Sequence, residues 1–156
     1  METAESAPPR LFLDSGVLIE GLLSPWSVSR SLLILARCGA CRVILAEDVR
    51  AEVEENLTDL LAEDSHAAGE SIEAYATLLR LLKPEAVAAT TTEAVVRHRH
   101  FIRHAADVPV LVAALKVTPD WRVTTNTRHF SPEVARRTGL KICTPKQVME
   151  RIQIPA

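Results

Sequence analysis

Apolar residues in this chain fall into two rhythms that alternate from one end to the other. One rhythm is a short unbroken run, which reads as a buried strand. Such runs stand at Arg10–Leu13, Arg42–Ala46, Ala86–Thr91, Trp121–Thr125 and Lys141–Cys143. The fourth is rich in β-branched residues, which favour a pleated surface.

The other rhythm is helical. Val17 to Leu23 predicts a short helix stopped by Ser24-Pro25, and Ser27 caps another that runs to Ala36-Arg37 before Gly39. From Glu47 onward, Val49, Val53, Leu57 and Leu60 repeat at helical spacing. Asp64 to Leu82 carries Ile72, Tyr75, Ala76, Leu79 and Leu82 on one side, and Lys83-Pro84 ends it. Thr92 caps a helix to His104, and Asp107 to Lys116 forms an apolar helix with Pro109 in its first turn. Pro132–Thr138 is closed by Gly139, and Pro145 opens a final helix to Ile152. Strands alternating with helices predict an α/β fold with a mostly parallel sheet of about five strands, covered on both faces.

The 156 residues suffice for one domain, expected at 10–156 behind a disordered lead-in at 1–9. Hydrophobic residues at 47% allow a sizeable core, and 24% charged residues exclude wholesale disorder. A formal net charge of −2 argues against nucleic-acid binding by bulk charge, though not against a local basic groove. Aromatics at 4% argue against a stacking platform for single strands. No apolar run reaches the roughly 18 residues of a membrane helix, so no membrane partner is expected. The acidic start, Met1 to Glu5, has no apolar h-region, and three Cys cannot all pair within the chain, which points to a reducing cytoplasm.

In open α/β sheets the site lies beyond the carboxyl ends of the strands. Asp14 follows the first strand. The helix after the second carries Glu47, Asp48, Glu52, Glu54 and Glu55. Asp107 opens the apolar helix before the fourth strand, and Asn126 follows that strand. Each has an ordinary structural reading. Asp14 could start a turn, Asp107 could cap a helix, Asn126 could be a turn residue, and Glu52 could sit on a solvated face. Together they predict carboxylates converging on one edge, where they repel one another unless a cation joins them. Oxygen donors without His or Cys suit Mg²⁺ or Mn²⁺, and a carboxylate-held Mg²⁺ suits phosphodiester hydrolysis. Helical geometry does not choose between Glu52 and Glu54, since both border the Val49/Val53/Leu57 stripe.

Phe12-Leu13-Asp14-Ser15-Gly16-Val17-Leu18-Ile19 resembles the opening block of PIN-domain nucleases. Leu45 to Val53 resembles the second block, whose acid maps onto Glu52. Asp107 to Leu115 resembles the third, an Asp heading an apolar helix. Val123-Thr124-Thr125-Asn126-Thr127-Arg128-His129-Phe130 resembles the fourth, and Gly139 to Pro145 the closing strand and helix start. The resemblance implies a three-layer α/β/α sandwich and a Mg²⁺- or Mn²⁺-dependent endoribonuclease. Asp14, Glu52, Asp107 and Asn126 would be its catalytic residues. Asp14 and Asp107 would bind metal directly, with Glu52 acting through water or as proton acceptor. Many such chains are toxins of the VapC type, which implies an antitoxin partner and a homodimer.

Two positions depart from the family pattern. Gly16 stands where many members have Asn, and Asn126 where many have Asp. They sustain an alternative: a catalytically weak or inactive PIN-like module that binds RNA or a protein. The basic run Arg97 to His104 precedes Asp107. Arg97, Arg99 and Arg103, with Arg128, are the candidates for contact with RNA phosphates. Cys38-Gly39-Ala40-Cys41 sits at a helix C-terminus, the wrong polarity for a reactive thiolate. No Gly-x-Ser-x-Gly elbow or Gly-rich phosphate loop occurs.

Overall fold

Strand β1 (Arg10–Leu13) lies at the centre of a five-stranded, wholly parallel sheet in the computed structural model, which describes residues 7–152. The strand order is β3 (Glu85–Val87), β2 (Arg42–Ala46), β1, β4 (Trp121–Val123), β5 (Ile142–Cys143). The expected lead-in at 1–9 lies outside the described residues up to residue 6, and Ala7–Pro9 are irregular chain entering β1.

The eight α-helices among the described residues are α1 (Ser15–Leu23), α2 (Val28–Arg37), α3 (Glu47–Glu63), α4 (Ser65–Leu82), α5 (Thr92–His98), α6 (Val108–Val117), α7 (Pro132–Thr138) and α8 (Pro145–Met149). The helices cover the parallel sheet in the three-layer α/β/α sandwich expected from the sequence. The core joins β1 and β2 to the apolar sides of α1, α2, α3 and α6. Val49, Val53 and Leu57 are the buried residues of α3. Six residues of α6 are buried, which is why its sequence reads as apolar all round. No single helix among the described residues is long and apolar enough to cross a membrane.

The connection places the site. From β1 the chain builds outward through β2 and β3, then returns to lay β4 against the other side of β1. The order therefore switches between β1 and β4, where their carboxyl ends splay and leave a crevice. Phe12 pairs with Arg122 and Leu13 with Val123, so Asp14 and Thr124 leave the sheet side by side.

Several boundaries differ from the sequence reading. Asp14 itself caps α1, accepting a hydrogen bond from Val17 N at 3.2 Å, so the helix starts two residues earlier than its apolar pattern suggests. The cap of α5 is Thr91 rather than Thr92. That helix stops at His98 instead of His104. A 3₁₀ turn at Arg99–Phe101 brings Ile102 inward to 3% exposure, and Arg99 reaches the carbonyls of Ile102 and Arg103. Asp107 precedes α6 without capping it through its side chain, which is left for other contacts. Cys38 and Cys41 are both free thiols; burial pushes the Cys41 thiol up to about 11, far from a reactive thiolate.

Candidate functional site

Five segments deliver side chains to one pocket of about 160 Å³ at this crevice. Asp14, Ser15 and Gly16 come from the β1–α1 junction, Glu52 from the second turn of α3, and Asp107 from the entry to α6. Arg122 comes from β4, with Thr125, Asn126 and Phe130 from the turn after it. All four residues expected to form the site therefore meet. Glu54 does not join them. It is exposed and faces Arg50 one turn back, at 3.8 Å. Asp48 is also elsewhere: it accepts from Thr90 N at 3.0 Å and lies 2.9 Å from the Thr90 hydroxyl. That hydroxyl also lies 2.8 Å from the Pro109 carbonyl, so Asp48 braces the start of α6.

Each carboxylate in the pocket has a protein partner. Asp14 Oδ1 caps α1, and Asp14 Oδ2 accepts a hydrogen bond from the Thr124 hydroxyl. Thr124 Oγ1 in turn accepts from Asn126 N at 2.9 Å. This orients the threonine proton toward Asp14 and holds the turn that carries Asn126. Ser15 Oγ donates to Glu52 Oε2 at 2.7 Å. His129 Nδ1 sits 2.6 Å from Asp107 Oδ2, a close contact in which neither atom is aligned for a hydrogen bond. Asn126 Oδ1 accepts from His129 N at 3.3 Å, which leaves its amide nitrogen to donate into the pocket.

Beneath the carboxylates lies Arg122, which is 0% exposed. One of its terminal nitrogens is 3.7 Å from Asp14 Oδ2, too long for a hydrogen bond, and none of its three side-chain nitrogens makes one. Its guanidinium instead rests on the Phe130 ring, 3.4 Å from the centroid. Burial pushes Arg122 down to about 10, against the pull of Asp14, Asp107 and Glu52, so it stays charged near neutral pH. Glu52 is displaced the other way. Burial raises its pKa, as do Asp14 and Asp107, while the Ser15 hydroxyl and Arg122 lower it.

Gly16 has a specific steric role. A Cβ there would fall 2.5 Å from Thr125 Oγ1 and 3.4 Å from Asp14 Oδ1. The threonine hydroxyl occupies the room that a longer side chain at position 16 would need.

Pattern reading missed Arg122 and His129. A charged residue between Trp121 and Val123, inside an apolar strand, was the available signal for the first. Nothing in the sequence singles out His129, whose role depends on how the turn folds back onto α6. Of the four arginines expected to meet phosphate, Arg103 and Arg128 line a second cavity beside this pocket. Arg97 and Arg99 line neither of the two.

The donor chemistry fits a hard divalent cation, since the carboxylates and an amide supply only oxygens. Among the described residues, no three His, Cys, Asp or Glu side chains are grouped to hold a metal ion as they stand. Two carboxylates suffice for Mg²⁺, which keeps several of its waters.

A family model described as PIN domain matches residues 10–128. No curated protein sequence matches the chain. Among solved structures, that of VapBC2 from Rickettsia felis bound to a DNA fragment from their promoter is similar in fold, with a TM-score of 0.62 at 15% identity. The match covers 86% of this chain and 98% of that one.

Proposed function

This chain belongs to the PIN domain family, and from that premise we propose that it is a metal-dependent endoribonuclease whose site is the pocket between β1 and β4. One observation carries the reading. Asp14, Glu52, Asp107 and Asn126, scattered over more than a hundred residues of sequence, line a single pocket at the sheet's switch point. Asp14 and Asp107 would hold Mg²⁺ or Mn²⁺, with Glu52 completing the site through water. Bound there, such an ion supplies neutralisation of phosphate charge and a more acidic water.

The chain's own groups do the rest. Glu52, whose carboxyl burial raises in the metal-free pocket, would accept the proton of the attacking water. Ser15 holds that carboxylate from one side and leaves its other oxygen for the water. The Asn126 amide orients the water or the scissile phosphate. Thr124 fixes both Asp14 and the Asn126 backbone, so nucleophile and phosphate meet in one geometry. Water oxygen bonds to phosphorus, the bond to the leaving ribose oxygen breaks, and that oxygen takes up a proton.

The solved neighbour is VapBC2, which supports a role as the toxin of a toxin–antitoxin pair with a protein antitoxin as partner; a cytoplasmic location is part of the same proposal. A groove of about 600 Å³, lined by Leu22, Leu33 and Ile34 on one side and Ala74, Leu78 and Leu81 on the other, is the apolar surface suited to it. The apolar side of α4 is partly used within the chain: Tyr75 is 6% exposed, and Ile72, Tyr75 and Leu79 line a cavity shared with Arg50 and Leu57 of α3.

Arg122 favours a second reading, an RNA- or protein-binding module with little catalysis. A buried guanidinium already balances the carboxylates and opposes a metal. Cleavage of a panel of structured RNAs in Mn²⁺, abolished by EDTA and by Asp107→Asn, decides for the nuclease. No cleavage under any condition, with RNA still bound, decides for the module.

A further inference from the structure

We infer that the cavity of about 410 Å³ next to the acidic pocket is a phosphate subsite, taking a backbone phosphate of the RNA that flanks the scissile bond. The inference deepens the reading of the acidic pocket as a cleavage site and rests on it.

Four groups make the cavity basic: Arg103, Arg128, Arg137 and His104 line it, and Ser131 adds a hydroxyl. The only carboxylate among its lining residues is Glu133, which pairs with Arg137 at 2.8 Å. Arg103 and Arg128 are exposed, and neither side chain has an ion pair or hydrogen bond among the described residues. Two unpaired guanidiniums on one concave wall suit a phosphate, whose oxygens accept paired N–H donors.

Position ties this cavity to the other. The turn after β4 forms the wall between them. Asn126 and Phe130 face the acidic pocket, while Arg128 and His129 face the basic cavity. His129 touches Asp107 on one side and stacks on His104 on the other, with ring centroids 3.5 Å apart. A carboxylate-lined pocket repels a polyanion, so the strand needs an anchor next to it. The structure offers one within a single residue's width of Asp107.

The chain net charge of −2 makes the cavity distinctive, because bulk attraction cannot provide that anchor. Salt dependence reads it directly, since each phosphate contact on a single strand contributes about 0.7 to the slope of log K against log salt.

The test is binding of a labelled single-stranded RNA in EDTA, across a salt series, for the wild type, Arg103→Ala/Arg128→Ala and Arg42→Ala. Arg42 is exposed at the opposite end of the sheet and lines neither cavity. The double variant should bind at least tenfold more weakly, with a slope reduced by roughly 0.7 for the one phosphate lost, while Arg42→Ala changes little. Strands with 5′-hydroxyl and 5′-phosphate ends run side by side. Equal losses place an internal phosphodiester in the cavity, and a loss confined to the phosphorylated strand places a terminal phosphate there. A double variant that matches Arg42→Ala in affinity and slope, or loses affinity with no change of slope, overturns the subsite. So does a wild type that binds no RNA. Wild-type cleavage in Mn²⁺ reports separately on the acidic pocket: absent cleavage with an intact slope effect sinks the catalytic reading and leaves the subsite standing.

Discussion

Arg10 and Arg122 sit on neighbouring strands of one sheet, each among carboxylates, and they are treated in opposite ways. Arg10, at the amino end of β1, donates to Glu85 at 3.1 and 2.7 Å and to the Val117 carbonyl at 3.1 Å. Its side chain is 31% exposed, and the Glu85 hydrogen bond raises its pKa. Arg122, on β4 beside the acidic pocket, is sealed from water, its side chain makes no hydrogen bond, and burial pushes it down to about 10. At the amino end the ionic groups satisfy one another and tie β1 to β3. At the carboxyl end the charges are gathered but left incompletely paired. A buried ion without full hydrogen bonding is costly. Such a cost, borne at a switch point among three carboxylates, fits the ligand site proposed there.

The largest expected effect removes a site carboxylate. Asp14→Asn should lower RNA cleavage by on the order of 10²–10⁴-fold with the fold intact, read by initial rates and circular dichroism. The asparagine keeps the cap on α1, so a collapse of the fold instead would make Asp14 part of the scaffold. Next comes Arg122→Met, which leaves the carboxylates unbalanced and should cost about 3 kcal/mol of stability in EDTA, measured by urea denaturation. A neutral result would remove the contrast between the two arginines. Ser15→Ala should cost about 1 kcal/mol and slow cleavage several-fold, because Glu52 loses the hydroxyl that holds it. The smallest effect is at the other end. Glu85→Gln should cost about 0.5 kcal/mol, since the pair is partly exposed and screened. Its sign with pH follows from the Arg10 hydrogen bond, which holds the Glu85 carboxyl below its usual range. The bond's contribution is present above the ordinary glutamate value and fades as pH falls below about 4. Wild type and variant should therefore converge in acid. A gap that widens there would contradict the assignment.

Sequence alone carried the sheet and the residues at its edge, because both depend on local pattern. Phe12-Leu13-Asp14 announces a buried strand ending in an acid, and Asp107 before Val108 to Val117 announces an acid at the mouth of a buried helix. The choice of Glu52 over Glu54 was not local. Both flank the same apolar stripe, and only the packing of α3 beside α1 turns Glu52 inward to Ser15. The sandwich of Arg122 against Phe130 needs β4 and the turn behind it to be in place. The helix expected to reach His104 broke at His98 because the burial of Ile102 outweighs continued helical pattern. That break puts Arg103 and His104 on the wall of the basic cavity, apart from Arg97 and Arg99.

On the reading proposed above, Arg122 and a divalent cation would neutralise the same three carboxylates. The decisive measurement is thermal unfolding of the wild type, Arg122→Met and Asp107→Asn, each in EDTA and in Mn²⁺, because a ligand that binds the folded state alone raises stability by mass action. Mn²⁺ should raise the melting temperature of the wild type, raise that of Arg122→Met by more, and leave Asp107→Asn almost unmoved. Equal responses from all three proteins, or no response from any, would contradict it.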